Sequence, residues 1–247
     1  MKIIIIAINM TGGVGRVISE IKKEFVKRKH KVKIFLRDDY ESESELKKEV
    51  EKESYDVLYT QDWSCCKIFL FSKNHFSCFH GNNPGKLGYV LQTLIGKFIG
   101  KNLVVVGPSL KKRFPKSTMI YNGVDKEEFC DMKLERKYFG WIDKKTEMYD
   151  EATIKKEAEK YNLSLLIAKD IPSNEMNKFY NKCKVFASYP PYSGGFNLCW
   201  IEAKASGVPI ILGNENGIGI TKALNEKFSW EFHVNKLLEI FNEPQTI

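Results

Sequence analysis

The sequence lacks the features that mark several special classes of protein. Its six cysteines include no Cys-x-x-Cys pair and no Cys/His spacing typical of zinc sites, and no other cluster supplies a set of metal ligands. It also lacks a long apolar run, because MKIIIIAINM at the start is too short for a signal peptide or a membrane span. We therefore expect a cytoplasmic protein with reduced thiols and no bound metal.

Arginine is scarce as well: only five of the 39 basic residues are Arg, in a chain whose net charge is +8. Nucleic-acid-binding elements combine clustered Arg with aromatic residues, whereas the lysines here are spread along the chain. We therefore expect no nucleic-acid partner. The positive charge suits phosphorylated ligands and would allow peripheral contact with an anionic membrane, although no segment of the sequence stands out as an anchor.

The chain alternates short apolar runs with helical patterns. Runs rich in Ile, Val, Leu and Phe predict buried strands at residues 3–8, 32–36, 57–59, 103–106, 165–167, 185–187 and 208–212. Between many of them lie helical patterns with a charged face. Strands that are apolar on both faces and alternate with helices predict an α/β protein with parallel sheets covered on both sides.

Two such series of strands and helices predict two domains. A chain of 247 residues is long enough for two small domains, and the turn signal Asn122-Gly123 places the boundary between them. We expect a first domain over residues 1–121 and a second over residues 122–247. Apolar residues at helical spacing over residues 228–241 predict a terminal helix, which could pack back toward the first domain.

The segment TGGVGR, residues 11–16, follows the first predicted strand. A glycine turn that opens a helix points backbone N–H groups and the positive helix end at an anion. The dinucleotide-binding pattern G-x-G-x-x-G is not completed, because Ile18 stands where the third glycine would be. The segment therefore predicts either a phosphate site or a tight turn without a ligand.

A second segment, GGFNLCWIEAKASGVPII over residues 194–211, sets one acid, Glu202, among apolar and small residues. A helix that begins after the glycines would offer its N-terminus to a phosphate, with Glu202 a little over one turn further on. A carboxylate there can accept hydrogen bonds from hydroxyls, so the segment suits the diphosphate and ribose of a nucleotide. An ordinary amphipathic helix with an exposed Glu fits poorly with the flanking Trp200 and Ile201.

Two further features have more than one reading. His80 ends an apolar stretch, at a position where the strands of open α/β sheets meet ligands, but a histidine satisfied within the core is the alternative. Tyr180 and Lys184 match the YxxxK spacing of short-chain dehydrogenases, in which the two residues share a proton-transfer role on one helix. The matching cofactor turn is absent and a predicted strand follows at once, so a dehydrogenase is the weakest hypothesis.

Together these segments resemble the retaining glycosyltransferases of the GT-B fold, family 4 type. That family has an acid followed by Gly-Phe-Gly-Leu, a second acid eight residues after the first, and then Ala-x-x-Gly-x-Pro-Val-Ile. This chain has GFNL at residues 195–198, then Glu202, then AKASGVPII at residues 203–211. FHG at residues 79–81 is similar to the family's Thr-x-His-Gly, and NGVD at residues 122–125 matches the segment that leads into its second domain. The resemblance covers nearly the whole chain.

The resemblance implies two Rossmann-like domains with parallel sheets that face each other across a cleft. The first domain would hold the acceptor, and the second would hold most of the nucleotide-sugar donor. In the first domain, Gly12 and Gly13 would approach the phosphate or the sugar of the donor. His80, in the same domain, would border the sugar.

The resemblance places the remaining site residues in the second domain. Glu202 would bind the ribose hydroxyls, and Ile171 would make a backbone contact to the base. Lys145, or Lys144 in another alignment, would bind the diphosphate. Backbone N–H groups around the start of the helix would also hold the diphosphate: those of Gly195, Phe196, Asn197 and Leu198.

The activity implied by the resemblance is transfer of a sugar from a nucleotide-diphosphate sugar, with retention of the anomeric configuration. A UDP or GDP sugar is the expected donor, and the acceptor would be a glycan, a lipid-linked molecule or a small molecule. Neither a metal nor a tightly bound cofactor is implied. Gly194 stands where the family has its first acid, and Trp141 where it has an Arg before the lysine. These two residues motivate a second hypothesis, a catalytically inactive nucleotide-sugar-binding protein of the same fold.

Overall fold

The computed structural model describes residues 1–82, 85–143, 147, 149–190, 197–213 and 226–243. These residues form two compact units. The first unit contains residues 1–122 and the C-terminal helix that begins at Trp230, and the second contains the described residues from 123 to 229. Each unit has its own parallel sheet, so the α/β fold that the sequence predicts is confirmed.

The first unit is built on a six-stranded parallel sheet. Its strands are β1 (Lys2–Ala7), β2 (Lys31–Leu36), β3 (Val57–Gln61), β4 (His75–Phe79), β5 (Leu103–Val105) and β6 (Thr118–Met119). They lie in the order β2-β1-β3-β4-β5-β6, and every pairing is parallel. The helices between them are α1 (Gly12–Lys27), α2 (Glu43–Glu51), α3 (Asp62–Cys66), α4 (Lys86–Ile99) and α5 (Pro108–Arg113).

The second unit is built on a four-stranded parallel sheet. Its strands are β7 (Tyr138–Ile142), β8 (Ser164–Ala168), β9 (Cys183–Ala187) and β10 (Ile210–Leu212), in the order β10-β9-β7-β8. Its helices are α6 (Glu151–Lys160), α7 (Met176–Asn181) and α8 (Leu198–Ala205). The last helix of the chain, α9 (Trp230–Asn242), belongs to the first unit. No helix in the described part of the chain combines the length and the apolar character needed to cross a membrane.

Short 3₁₀ turns complete the described secondary structure, at Arg37–Asp39, Lys67–Phe69, Gly100–Asn102, Ser173–Glu175 and Glu226–Phe228.

The strand β1 shows how the apolar runs become central strands. Residues 3–7 are at most 3% exposed, and β1 pairs with β2 on one side and β3 on the other. A strand buried on both faces must be apolar at every position, which the run IIIIA satisfies. The following helix α1 buries Ile18, Ile21 and Phe25 at the helical spacing that its sequence predicts.

Three strands were not predicted from apolar runs in the sequence: β4, β6 and β7. The strands β4 (HFSCF) and β7 (YFGWI) mix aromatic residues with His, Ser, Cys or Gly instead of repeating Ile and Val. In β7, Gly140 is required by tertiary packing, because a Cβ there would lie 2.3 Å from Cys183 Sγ on the paired strand β9. A close approach of this kind has no signature in the local sequence.

The helix α9 is held in the first unit by Phe241. The centroid of its ring lies 4.8 Å from that of Phe76, 5.4 Å from that of Tyr59 and 6.2 Å from that of Phe25. Those partners lie on β4, β3 and α1, so the end of the chain packs against the middle of the first sheet. Aromatic contacts at these distances add to the stability that burial alone provides.

All six cysteines are free thiols. Cys130 is exposed and the other five are buried. Burial raises the pKa of four of these thiols to about 12: Cys65, Cys66, Cys78 and Cys183. These side chains therefore stay protonated at neutral pH and pack as small apolar groups.

Two histidines are buried in the first unit. His75 in β4 is 3% exposed, and its Nε2 lies 2.9 Å from Thr60 Oγ1. His233 in α9 is fully buried, and its Nδ1 lies 2.8 Å from the backbone oxygen of Tyr121. Burial lowers the pKa of each ring to about 4, with His80 lowering that of His233 further. Both rings are therefore neutral in the folded protein at pH 7.

We expect the protein to lose stability as the pH falls from 6.5 to about 4. The unfolded chain protonates these histidines near pH 6.5 and the folded chain only near pH 4, so the folded state binds fewer protons across this window. The free energy of unfolding should fall by about 3 kcal/mol for each histidine. Urea unfolding at a series of pH values measures this slope.

Two variants test the origin of this slope. His75→Gln can still hydrogen-bond to Thr60 and should reduce the dependence of the free energy of unfolding on pH. His30→Gln, at a half-buried histidine, should leave most of that dependence unchanged. An unchanged slope in His75→Gln would contradict the explanation.

Candidate functional site

The helix α8 begins at a polar junction with strand β9. Its N-cap is Asn197, whose Oδ1 accepts a hydrogen bond from the backbone N of Cys199 at 3.2 Å. The Nδ2 of Asn197 donates to Ser188 Oγ at 2.7 Å, and Trp200 Nε1 donates to the Ser188 backbone oxygen at 3.2 Å. Because Ser188 directly follows β9, these bonds fix the first turn of α8 to the carboxyl end of that strand.

The far end of α8 is fixed to the end of α7. Gly207 ends the helix with φ +82°, a conformation that glycine adopts without strain. The guanidinium of Arg136 donates to the backbone oxygens of Ser206 (2.7 Å), Asn181 (3.1 Å) and Tyr180 (3.2 Å). A Cβ at position 207 would lie 2.7 Å from Arg136 Nη2, so backbone conformation and space both explain why glycine follows this helix.

Glu202 lies in the second turn of α8 and is 6% exposed. Its Oε2 accepts a hydrogen bond of 2.9 Å from the hydroxyl of Tyr180, which is fully buried on α7. Burial, followed by the neighbouring Cys199 and Glu202, raises the pKa of Tyr180 well above 10, so the phenol remains a donor at neutral pH. A neutral hydrogen-bond donor within the protein therefore orients the carboxylate. Because Glu202 is buried, the alternative of an ordinary amphipathic helix with an exposed Glu does not hold.

The same contact removes the basis of the dehydrogenase hypothesis. Tyr180 lies on α7, whereas Lys184 is an exposed residue of β9. The two side chains therefore do not share a helix face, which the proton-transfer role of a YxxxK pair requires. That interpretation of the spacing was wrong because the helix ends at Asn181, between the two residues.

A second acid, Glu147, lies at the junction between β9 and α8. Its carboxylate accepts hydrogen bonds from Ser188 Oγ at 2.7 Å and from the backbone N of Tyr189. Together with the bond from Asn197 to Ser188, this gives a continuous polar network at the carboxyl end of β9. Glu147 was not predicted from the sequence, because it stands outside the segments that carry a motif.

The other predicted residues of the second unit lie at the same edge of its sheet or outside the described residues. Leu198 is the first residue of α8, and Ile171 is a half-buried residue shortly after the end of β8. Lys145, Gly195 and Phe196 lie outside the described residues, as do Lys144 and Gly194. In the part of the chain that the structure describes, no three His, Cys, Asp or Glu side chains are grouped to hold a metal ion.

In the first unit, Gly12 and Gly13 open helix α1 directly after β1. Gly12 has φ +62°, and a Cβ added there would meet nothing within 4 Å, so glycine is needed for the backbone conformation. Gly15 is needed for space, because its Cβ would lie 2.0 Å from the backbone oxygen of Met10. The N-cap residue Thr11 makes no side-chain hydrogen bond to the helix. Backbone conformation at Gly12 and space at Gly15 thus both require glycine in this turn.

His80 directly follows β4, at the carboxyl end of the first sheet. Its Nε2 lies 2.8 Å from Gln61 Oε1, and its backbone N donates to Asp62 Oδ1 at 3.3 Å. Burial lowers the pKa of His80 and so favours the neutral ring, although the charge of Asp62 opposes this shift in part. Asp62 itself has φ +65°, a strained conformation for a non-glycine residue. Neither Gln61 nor Asp62 was identified from the sequence.

Solved structures identify the fold to which these two units belong. Sucrose-phosphate synthase from Thermosynechococcus elongatus superposes with a TM-score of 0.66 at 12% identity, covering 97% of this chain and 90% of that one. HepE of Anabaena, in complex with UDP and glucose, gives 0.64 at 12% identity over 97% and 90% of the two chains. The catalytic domain of starch synthase IV from Arabidopsis thaliana, bound to ADP and acarbose, gives 0.56 at 10% identity over 99% and 93%.

The chain has the GT-B fold. No protein-family model matches it, and no curated protein matches it in sequence. At these identities the likeness is one of fold alone, so the chemistry rests on the residues of this chain.

We expect Tyr180→Phe to destabilise the protein by about 2 kcal/mol, because it removes a donor from a buried carboxylate. Tyr161→Phe, at a tyrosine 37% exposed, is the matched control and should change stability little. Urea unfolding of the two variants measures the difference. Equal effects would mean that the Tyr180–Glu202 contact contributes nothing to stability.

Proposed function

We propose that the protein transfers a sugar from a nucleotide-diphosphate sugar to an acceptor, with retention of configuration at the anomeric carbon. The observation that carries this proposal is Glu202, a buried carboxylate in the second turn of a helix that starts at the carboxyl end of a parallel strand. This is the position in open α/β sheets at which ligands bind.

The chemistry of Glu202 favours a hydroxyl-bearing ligand. A buried carboxylate is costly unless hydrogen-bond donors surround it, and Tyr180 is one such donor to Glu202. Two adjacent ribose hydroxyls are donors of the right kind. The HepE structures are complexes with UDP and with UDP-glucose, and the starch synthase IV structure is a complex with ADP. These ligands support a nucleoside diphosphate as the molecule that Glu202 binds.

We assign the diphosphate to the N-terminal side of α8. Backbone N–H groups at a helix start carry partial positive charge, and Asn197 and Leu198 stand at that start. The family resemblance adds three residues to those that we assign to the diphosphate: Gly195, Phe196 and Lys145. Donors and a cation placed there would stabilise the charge that develops on the departing diphosphate, so the proposed reaction needs no metal. We assign Ile171, after β8, to the base.

In the first unit we assign Gly12 and Gly13 to the phosphate or sugar of the donor and His80 to the sugar. A ring held neutral by burial can exchange hydrogen bonds with sugar hydroxyls without adding a charge. The bond of its Nε2 to Gln61 orients the ring for this role. The acceptor would be a glycan, a lipid-linked molecule or a small molecule.

A second candidate function is binding of a nucleotide sugar without turnover. It is favoured by Trp141, which occupies the position of an expected cation. Trp141 is 3% exposed and packs in the core of the second unit with Phe139, Ile154 and Val185. An indole in the core cannot replace a guanidinium at a diphosphate, so one of the expected positive charges is absent from the site.

The donor site is tested by thermal stabilisation with UDP, GDP, ADP and NAD. We expect one nucleoside diphosphate to stabilise the wild type, by about 2.7 kcal/mol at a hundredfold excess over Kd, and NAD to have no effect. Glu202→Gln keeps an oxygen that can accept from Tyr180 but loses the charge, so it should weaken binding about tenfold or more. Glu159→Gln, on the exposed face of α6, is the matched control and should bind as the wild type does.

Two results would count against the donor site. One is the absence of stabilisation by any nucleoside diphosphate. The other is equal binding by the Glu202→Gln and Glu159→Gln variants.

Turnover separates the two candidate functions. The nucleotide sugars that contain the identified base are incubated with the protein and a panel of acceptors, and the anomeric configuration of any product is read by NMR. A product with the anomeric configuration of the donor supports the proposed function, whereas inversion would contradict it. Tight binding without transfer or donor hydrolysis would instead establish the second candidate.

A further inference from the structure

The first unit contains a long segment without a single acidic residue. Residues 63–122 include nine of the 39 basic residues of the chain and none of its 31 acidic residues. The remaining residues therefore carry 30 basic and 31 acidic side chains and are nearly neutral as a set. The net charge of +8 is thus not spread evenly along the chain but concentrated in this segment, which contains helix α4.

The helix α4 is apolar on its outer face as well as on its inner one. Gln92, Ile95 and Gly96 are buried against the unit. On the opposite side, a stripe at positions i, i+3, i+4, i+7 and i+11 is exposed: Leu87 (72%), Val90 (52%), Leu91 (38%), Leu94 (60%) and Phe98 (61%). A stripe at this spacing lies along one side of a helix, so these side chains form one continuous apolar face.

The stripe extends onto a neighbouring turn and is flanked by lysines. Phe71, 89% exposed, makes an edge-on contact with Phe98, with ring centroids 5.7 Å apart. Lys86 stands four residues before Val90 and Lys97 three residues after Leu94, so both lie beside the stripe along the helix. We call the stripe, Phe71, Lys86 and Lys97 the α4 surface.

A cavity of about 280 Å³ adjoins the C-terminal end of the α4 surface. It is lined by Gly96, Lys97, Gly100, Phe114, Pro115, Lys116 and Ser117. Two of these seven residues are lysines, and the segment that lines the cavity has no acid to pair with them. Apolar walls with positive charges nearby thus continue beyond the helix itself.

We propose that the α4 surface docks on a lipid bilayer that contains anionic phospholipids. Large exposed apolar side chains gain free energy when they enter the boundary of the acyl chains, and lysines beside them gain from the negative headgroups. At 14 residues, α4 is shorter than the roughly 20 residues of a spanning helix, so it would lie in the plane of the interface.

The charge distribution distinguishes a bilayer from a second copy of this chain. In a twofold dimer formed through the α4 surface, each copy would present the same patch to the other. Lys86 and Lys97 of each copy would then lie on the same interface as the identical lysines of the other, with no carboxylate in the acid-free segment to pair with them. An anionic bilayer supplies both the apolar medium and the opposite charge.

The test uses the full chain and two kinds of vesicle, one of phosphatidylcholine alone and one of equal parts phosphatidylcholine and phosphatidylglycerol. We expect the protein to co-sediment with the anionic vesicles and to stay in solution with the neutral ones. Added salt should weaken binding, because it screens the lysines.

Two pairs of substitutions separate the apolar and charged contributions. Leu87→Gln/Leu94→Gln should weaken binding about tenfold or more for each leucine. Lys86→Gln/Lys97→Gln should weaken it about fivefold for each lysine. The matched controls are Val26→Gln/Met132→Gln, at residues 53% and 47% exposed, and Lys155→Gln/Lys156→Gln on α6. Because all these side chains are exposed, we expect every variant to fold, and thermal unfolding checks this.

Three results would overturn the proposal. One is the absence of binding to the anionic vesicles, and another is binding that the α4 variants weaken no more than their controls do. The third is a dimer in sedimentation analysis that Leu87→Gln/Leu94→Gln dissociates while vesicles do not bind, which would assign the surface to a second copy. None of these results depends on whether the protein binds a nucleotide.

Discussion

Every strand pairing in the two sheets is parallel, and this constraint decides where the chemistry of the protein can lie. Parallel neighbours need crossover connections, and their carboxyl ends all meet at one edge of the sheet. The polar residues at the start of a helix or the end of a strand therefore collect at that edge in each unit. In the first unit they are Gln61, Asp62 and His80. In the second they are Ser188 and Asn197, and Glu147 is hydrogen-bonded to Ser188 there.

The burial of Glu202 links the packing of the second unit to its proposed chemistry. Tyr180 reaches the carboxylate from α7, and Arg136 ties the end of α7 to the end of α8, so the acid is held by helices that are themselves fixed. A neutral phenol lowers the cost of burying the charge through one hydrogen bond without cancelling that charge. The same arrangement that stabilises the fold also orients the acceptor that we assign to a ligand with hydroxyl groups.

The two proposals place two kinds of recognition within one acid-free segment of the first unit. His80 directly follows the central strand β4, and α4 lies a few residues further along the chain. If both proposals hold, a lipid-linked acceptor would reach the unit that carries both His80 and the α4 surface. The net positive charge of the chain then has a defined location. From the sequence alone, this charge suited phosphorylated ligands or an anionic membrane in general.

Much of the fold and part of the site were accessible to sequence reasoning. The α/β class, β1 with its glycine turn, and the helix around Glu202 follow from local patterns, because central parallel strands must be apolar and tight turns need glycine. The strands β4 and β7 did not follow, since their stability depends on neighbours that are distant in sequence, as Gly140 against Cys183 shows. The YxxxK spacing suggested a shared helix face wrongly, because spacing alone does not determine whether a helix continues between two residues.

The sequence by itself determined which residue types stand at strand ends and helix starts, and it determined that one segment carries all of the excess charge. Only the tertiary structure decided what each of them touches. Tyr180 meets Glu202 from 22 residues away, and the outer stripe of α4 is exposed because no other element of the described chain covers it. Such contacts depend on how helices pack across a sheet, and a local pattern does not encode which helix becomes the neighbour of which.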